Sequence, residues 1–336
     1  MNSVSSGDLA QRFALRRQMA ELKTELTALT SESTTGLTSD VSGTVSGDFT
    51  ALAGLTRSLQ TLGALQVSAN EAGVVADTVQ DALGIVYDMI TAAAPNLLQA
   101  GSLLNPTQLR TASVDARQKF STVVAALNVQ TGGRTVFGGI QTGGPALAPP
   151  SAMLDQLLSA AAGETTAAGI ETVVNDWFDL AGGGFETGGY LGNTARLGDF
   201  QITSSERIGL TVTANDPEIR AVLKALAMAS LITQTGVAGN DTEGAKLAKL
   251  AGEAMLSAQQ GLLNRRADVG LAQESIENAN LRNSAEKASL EILRGRMLGV
   301  DPYDAQTALE ATQNQLEAVY AVTARLASLS LVDFLR

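Results

Sequence analysis

The chain has 336 residues, of which 45% are hydrophobic but only 4% aromatic, and its formal net charge is -11 at pH 7. Nucleic acids and anionic membrane surfaces attract clusters of Lys and Arg, so this charge argues against both as partners. The sequence has no Cys and no His, which excludes disulfide bonds and thiolate or imidazole metal sites and removes the commonest general base.

The first predicted element is a helix over residues 8–30. Its apolar side chains recur at spacings of four and three residues, which is typical of a heptad seam that lies against a neighbouring helix. The seam consists of Leu15, Met19, Leu22, Leu26 and Leu29. Residues 30–48 are small and polar, and they predict a loop or an irregular extended segment.

Neither a signal peptide nor a membrane span is expected from the hydropathy of the sequence. The N-terminal stretch has no uninterrupted apolar run behind basic residues, whereas a cleavable secretory signal would have one. No apolar run approaches the ~18 residues that a transmembrane helix needs. If the protein is exported, we expect a route that leaves its N-terminus intact.

A second heptad pattern begins near residue 50 and continues to Pro95, which is predicted to interrupt the helix because its ring and missing N–H break the hydrogen-bond ladder. A third helix is predicted over residues 106–130, with Pro106 at its first position. From about residue 134 to residue 215, Gly and Pro separate short apolar runs, and "FQITSSERIGLTVTAND" alternates like a hairpin. We therefore predict a compact α+β module, which contains the single Trp, Trp177.

Helices are predicted again over residues 217–235, 241–298 and 304–330. The second of these carries a heptad row that only Asn283 breaks, and the pair Arg265-Arg266 predicts an ion pair between helices. The third has a seam on one side. Beyond about residue 325, however, its apolar side chains point in nearly every direction, so the end of the chain needs neighbours around its whole circumference.

These elements predict a mainly α fold: an elongated, coiled-coil-like helical rod formed by the N- and C-terminal segments, with an inserted small α+β module. Because both terminal helices carry seams, we expect them to run side by side. The predicted segments are an N-terminal assembly helix and loop (1–49), rod helices (50–133), the inserted module (134–215), returning rod helices (216–300) and a C-terminal assembly helix (301–336).

The apolar residues of the two terminal helices are the candidate site. Two paired helices bury one stripe on each other, so the apolar end of the chain calls for further subunits around it. The residues predicted to form this assembly interface are Leu15, Met19, Leu22, Leu26, Leu309, Leu316, Val319, Leu326, Leu331, Phe334 and Leu335.

Several short strings resemble catalytic motifs, but each has a more ordinary explanation. Ser284 and Lys287 match S-x-x-K without the companion motifs of the penicillin-binding enzymes. Residues 239–246 resemble a P-loop with one residue too many, which fits a turn and an N-cap better. Carboxylate pairs such as Glu171 and Asp176 are expected to be surface charge. We therefore predict no catalytic, cofactor-binding or metal-binding residues, and no enzymatic activity.

Four segments carry a resemblance to a known family. They are "TTGLTSD" (34–40) after the N-terminal seam, "GGRTVFGGIQTGGPALAP" (132–149), "NRRADVGLAQESIENA" (264–279) and the C-terminal helix (301–336). Together they resemble the flagellin superfamily and, within it, the proteins at the junction of flagellar hook and filament. The resemblance covers the ends of the chain well and the inserted module hardly at all.

The resemblance implies a structural adaptor subunit of the bacterial flagellum, which joins hook to filament and polymerises through its terminal helices. The implied partners are copies of itself in a helical lattice, the first hook-associated protein, flagellin, and an export chaperone on the C-terminal helix. The implied location is extracellular, after export through the flagellar type III apparatus without a cleaved signal. No nucleic acid, membrane insertion or cofactor is implied.

Three other functions remain open at this point. The nearest is a flagellin that forms the filament itself. A non-flagellar secreted coiled-coil protein would self-associate without flagellar partners, and an enzyme housed in residues 134–215 would need a deep pocket with convergent, buried carboxylates.

Overall fold

The computed structural model describes the backbone of residues 6–334 and the side chains of residues 10, 11 and 13–326. This part of the chain is mainly helical with two small antiparallel sheets, which confirms the predicted fold class. The helices are α1 (Ser6–Thr35), α2 (Val41–Thr44), α3 (Thr50–Leu103), α4 (Pro106–Leu127), α5 (Pro150–Ala160), α6 (Ala167–Asp179), α7 (Pro217–Ser230), α8 (Asp241–Leu298) and α9 (Pro302–Phe334), with a π-helical turn at Phe185–Gly189. The strands are β1 (Gln130–Thr131) paired with β2 (Arg134–Thr135), and β3 (Phe200–Gln201) paired with β4 (Arg207–Ile208).

The chain divides into two compact units. Residues 1–63 and 284–336 form the first unit, and residues 64–283 form the second. The first unit therefore joins the two ends of the sequence, and the second contains the residues between them. No helix in the described part of the chain is long and apolar enough to cross a membrane. The predicted division into five segments stays a prediction.

In the first unit, α1 and α9 pack against each other. The ammonium group of Lys23 lies 5.7 Å from the ring centroid of Tyr320, and the Ser33 hydroxyl donates to the Gln306 side-chain oxygen at 3.3 Å. Residue numbers rise along one helix as they fall along the other, so the helices are antiparallel. The two terminal helices thus lie side by side, as their seams predicted.

The helix α1 continues to Thr35 and α2 adds another helical turn, so the predicted loop over residues 30–48 is wrong in part. The Ser and Thr residues that suggested a loop are compatible with a helix because their hydroxyls can donate to the carbonyl four residues earlier. Thr34 donates in this way to Thr30 at 2.8 Å, and Ser33 donates to Gln306 on the facing helix α9 at 3.3 Å. Contacts with α9, which outweigh local propensity, therefore support helix in a segment that offers few apolar residues.

Pro95 lies inside α3, so the prediction that it interrupts the helix is also wrong. Ala94, Leu97 and Ala100 beside it are at most 2% exposed, whereas the proline itself is on the exposed side. The carbonyl that loses its N–H partner there can bond to water instead. Burial of the opposite side of α3 holds the helix together through the proline.

The main hydrophobic core of the second unit combines the helices with the predicted α+β module. Phe120 of α4 and Phe137 and Phe178 of the module are at most 1% exposed. The ring centroids of Trp177 and Phe178 are 4.7 Å apart, and those of Phe178 and Phe185 are 5.2 Å apart. The buried aromatic residues are thus concentrated where short helices and loops must be joined to long ones.

The glycine-rich stretch after α6 is explained by packing around the single Trp. A side chain at Gly184 would overlap the indole ring of Trp177, because the backbone passes directly over that ring. Gly182 has a φ of +74°, a conformation that favours glycine.

The hairpin of β3 and β4 packs on the two long helices α3 and α8. Ile202, at its turn, is fully buried in a small cluster with alanines of α3 and with Ile276 and Ala279 of α8. The side-chain amide of Asn283 donates to the Ile202 carbonyl at 2.8 Å and is itself buried. The polar residue that breaks the heptad row of α8 is therefore the anchor of this hairpin.

The helices α3 and α8 run antiparallel and very close together within the second unit. Side-chain hydrogen bonds join Gln259 to Thr91 at 2.8 Å and Gln273 to Asp77 at 2.6 Å. At Gly101, a Cβ atom would lie 2.7 Å from the carbonyl oxygen of Ala245. Such a separation is below any contact that a real Cβ makes, so this approach requires glycine.

We predict that Gly101→Ala lowers the free energy of unfolding by about 1–3 kcal/mol, because the new methyl group forces α3 and α8 apart. Gly270→Ala is the matched control, since α8 has open space at that position. The control should be neutral or stabilising by up to ~1 kcal/mol, as expected for Ala in a helix. Urea unfolding monitored by circular dichroism measures both, and equal effects would contradict the close approach.

Asn283→Leu should destabilise the second unit by about 1–3 kcal/mol, because the Ile202 carbonyl loses its buried donor. The heptad pattern taken alone would predict increased stability, since Leu restores the apolar row. Arg282→Ala is the neighbouring control: it removes an exposed ion pair to Glu206 and should cost less than ~1 kcal/mol. Increased stability of the Leu variant in urea unfolding would show that Asn283 does not anchor the hairpin.

Candidate functional site: the terminal helix pair

The antiparallel helices α1 and α9, called here the terminal helix pair, contain the residues predicted to form the assembly interface. On α1, Leu22 is only 6% exposed, and Leu15, Met19 and Leu26 are half-buried. The predicted row is therefore the least exposed stripe of that helix.

The facing row on α9 follows the same pattern. Val319 is 7% exposed, and Leu309, Leu316 and Leu326 are half-buried. Leu331 and Phe334 belong to the helical backbone, but their side chains lie outside the described residues, as does the whole of Leu335. The structure thus brings the two seams together within one chain, and the role of these residues between chains stays a prediction.

Several large apolar side chains on the pair lie off the seam, and sequence reasoning missed them. Phe13 on α1 is 71% exposed, and Tyr303 and Val322 on α9 are 78% and 48% exposed. The signal that could have found them is a large apolar residue at a heptad position that faces away from the partner helix. These residues leave apolar surface on the terminal helix pair after its own seam has closed.

A short antiparallel bridge ties the end of α1 to the turn between α8 and α9. The Thr38 amide donates to the Leu298 carbonyl at 2.8 Å, and the Val300 amide donates to the Gly36 carbonyl at 3.1 Å. Gly36 has a φ of +68°, which lets the chain reverse directly after α1. The segment "TTGLTSD" therefore joins the two terminal helices at one end of the pair.

Glu32, in the last turn of α1, holds this bridge in place. Its carboxylate accepts hydrogen bonds from the Ser39 hydroxyl at 2.6 Å and from the Ser39 amide at 2.7 Å. These bonds favour the ionised form and hold the pKa of Glu32 below its ordinary value. Asp40, the next residue, caps α2 by accepting from the Gly43 amide at 3.0 Å.

One groove of the second unit lies against the predicted α+β module, where an enzyme site would have to be. This groove, of about 470 Å³, lies beside the π-helical turn and is lined by Asp179, Glu186, Tyr190 and Arg220 among others. The Asp179 carboxylate is 46% exposed and lies 2.6 Å from the ammonium group of Lys224. Burial raises the pKa of Tyr190 to about 12. Buried, convergent carboxylates, which an enzyme in residues 134–215 would need, do not line this groove.

The remaining charged motifs have structural roles. Arg265 Nε lies 3.2 Å from a carboxylate oxygen of Glu218 on α7, which is the ion pair between helices that the sequence predicted. The guanidinium of Arg266 lies 5.5 Å from the ring centroid of Tyr87 on α3. Among the residues that the structure describes, no group of three or more acidic side chains is placed to hold a metal ion.

Known proteins are similar to this chain in two respects: the sequence of its C-terminal part and its fold. Residues 253–335 match the family model of the bacterial flagellin C-terminal helical region. No curated protein sequence matches the chain. The family-model match covers most of α8 and all of α9, so it includes one helix of the terminal helix pair.

Two solved structures are similar in fold. FlgL of Bacillus cereus has 17% identical residues and a TM-score of 0.53, over 72% of this chain and 100% of that chain. A Vibrio parahaemolyticus protein, provisionally described as a flagellar hook-associated protein, has 12% identical residues and a TM-score of 0.51, over 75% of this chain and 99% of that one. The chain therefore carries a bacterial flagellin C-terminal helical region on a fold like that of FlgL, which confirms its resemblance to the flagellin superfamily.

Proposed function

We propose that the protein is a structural adaptor subunit of the bacterial flagellum, of the hook-associated protein 3 type, which joins hook to filament. The observation that carries this proposal is the terminal helix pair: two long antiparallel helices from opposite ends of the chain, closed by one seam. The flagellin C-terminal match includes α9 of this pair, and the fold likeness is to a protein named FlgL.

The geometry of the pair supports polymerisation. Two helices side by side can bury only one stripe on each other, so the rest of each helix surface is left for other contacts. Exposed Phe13 and Val322 lie on that remaining surface. We infer that other subunits cover it and that copies of the chain, the first hook-associated protein and flagellin are the partners.

The proposed role involves no catalysis, because the protein would act by joining the hook to the filament. The exposed and paired carboxylates in the groove of the second unit agree with a structural role. Export without a cleaved signal, with a chaperone holding the C-terminal helix, belongs to the same proposal and gives the protein its extracellular location.

Two alternatives make different predictions in the same experiment. A flagellin would elongate hook-filament seeds into long filaments, whereas an adaptor should add only a thin zone. A non-flagellar secreted coiled-coil protein would self-associate but would not bind the seeds at all. The fold likeness to FlgL and to a Vibrio parahaemolyticus protein described as flagellar hook-associated favours the adaptor.

Deleting residues 325–336 should abolish attachment of filaments, because the deletion removes the end of one helix of the terminal pair. The full-length chain should add a thin zone to purified hooks that carry the first hook-associated protein, and the truncated chain should add none. Electron microscopy of the seeds measures the outcome. Circular dichroism should show that the second unit of the truncated chain stays folded. Normal attachment by a folded truncated chain would rule out the assembly role of this helix end.

We also predict that Glu32→Gln weakens the first unit at neutral pH and that this effect disappears in acid. The folded-state pKa of Glu32 is lowered, so the ionised carboxylate stabilises the folded state above the unfolded pKa. That stability is lost as the pH falls through the lowered value. Hydrogen exchange of the Ser39 amide from pH 7 to pH 3 measures the difference. Glu25→Gln, on the same helix but exposed, is the control, and a pH-independent difference would contradict the role of Glu32.

A further inference from the structure

The outer side of α3 in the second unit carries an acidic face. Asp81, Ile85 and Asp88 follow one another at spacings of four and three residues, so they lie on one face of the helix. The residues between them on the opposite side, such as Leu83 and Val86, are fully buried. Ile85 is 43% exposed, and both carboxylates are exposed. We call these three residues the acidic face.

A face of α4 has the same pattern with the opposite charge. Arg110, Val114 and Arg117 have the same spacings of four and three residues. Val114 is 62% exposed, and Arg110 is exposed. Arg117 is half-buried. We call these three residues the basic face; it matches the acidic face in spacing, in its central β-branched residue and, with opposite sign, in its two charges.

The charges of both faces have no counterpart within the described part of the chain. No ion pair or side-chain hydrogen bond joins Asp81, Asp88, Arg110 or Arg117 to another described residue. Other charges on the same helices are satisfied: Lys119 pairs with Asp115 on α4, and Asp77 on α3 accepts from Gln273. The two faces therefore carry four charges that the described part of the chain leaves free for a contact with another molecule.

We propose that the acidic face of one copy docks on the basic face of a second copy. This inference rests on the proposed polymerisation and adds to it a contact outside the terminal helix pair. Both faces extend over eight residues, so their outer charges are seven rises of 1.5 Å, about 10.5 Å, apart along the helix. When they meet, Ile85 packs on Val114 and each carboxylate lies beside a guanidinium. Because both faces have spacings of four and then three residues, parallel docking aligns both charge pairs, and antiparallel docking offsets each pair by one residue, about 1.5 Å.

The contact joins two different faces, so it is heterologous. Each copy carries one acidic and one basic face, and both can be used at once. A heterologous contact that does not close into a ring adds copies indefinitely. The second unit would in this way contribute to the lattice that the terminal helices build. The charges fix which face meets which, and two basic or two acidic faces repel.

Disulfide trapping tests the contact directly, because the chain has no natural Cys. Two full-length single variants, Ile85→Cys and Val114→Cys, are mixed under oxidising conditions and analysed by non-reducing electrophoresis and mass spectrometry. Only a contact between copies can join them. A mixture of Val67→Cys and Val114→Cys is the control, since Val67 is 67% exposed on the same side of α3 but about 27 Å further along the helix. The 85–114 product should exceed the 67–114 product at least about tenfold, because docking gives a high effective concentration.

Charge reversal separates electrostatic recognition from chance proximity. The pair Asp81→Arg and Asp88→Arg should weaken self-association in sedimentation velocity by about tenfold, as expected for two exposed ion pairs turned into repulsions. The pair Arg110→Glu and Arg117→Glu should do the same. Mixing the two reversed variants should restore association, since the swapped charges again attract each other. Higher salt should reduce the effect of each reversal.

Failure of rescue, or equal cross-linking in the test and control mixtures, would overturn the inference. Neither result would contradict the proposed adaptor role. That role is tested separately by seed attachment, which uses chains whose acidic and basic faces are unchanged. A chain that shows the 85–114 product but does not attach to flagellar seeds would instead retain the contact and lose the adaptor function.

Discussion

Close packing between the two long helices α3 and α8 is the interaction on which the second unit depends. Fully buried alanines such as Ala69, Ala72 and Ala76 occupy the inner side of α3, and glycine is required at Gly101, where α8 passes nearest. Small side chains let the backbones approach, so dispersion contacts along the whole length replace the large aromatic residues of an ordinary core. This explains how a chain with 4% aromatic residues buries apolar side chains along much of α3 and α8 in the second unit.

The heptad rows made most of the fold predictable. The helix α8 begins and ends at the residues that its pattern indicated, because an uninterrupted apolar row must be covered along its whole length. The errors have a common cause. Pro95 and the Ser- and Thr-rich end of α1 have poor local helix propensity, yet α3 continues because its inner side is buried, and α1 continues because its end packs against α9. Local signals were outweighed by contacts that a single sequence does not display.

The candidate site was predictable in part for the same reason. The seam residues of α1 and α9 repeat regularly, so the sequence alone predicted that these two helices pack against each other. The bridge between Thr38 and Leu298 could not, because it joins main-chain groups and depends on the chain reversal at Gly36. The role of Asn283 was visible only as an exception in a row. Its meaning depends on Ile202, which is 81 residues away in sequence and belongs to a hairpin whose alternation does not show which helix it packs on.

The acidic and basic faces differ from the buried contacts of the second unit in how their charges are neutralised. Inside the second unit, Arg265 has carboxylates on α7 beside it, and Lys224 has Asp179, so charged groups there are neutralised by the chain itself. On the acidic and basic faces, apolar side chains lie exposed between charges that no described residue neutralises. A single contact of this kind is weak, because exposed ion pairs contribute at most ~1 kcal/mol each. Repetition on every copy changes the outcome, since a subunit held at several weak contacts is bound far more tightly than at any one of them. Terminal helices that bury apolar surface and outer faces that select orientation would then have complementary physical roles in one assembly.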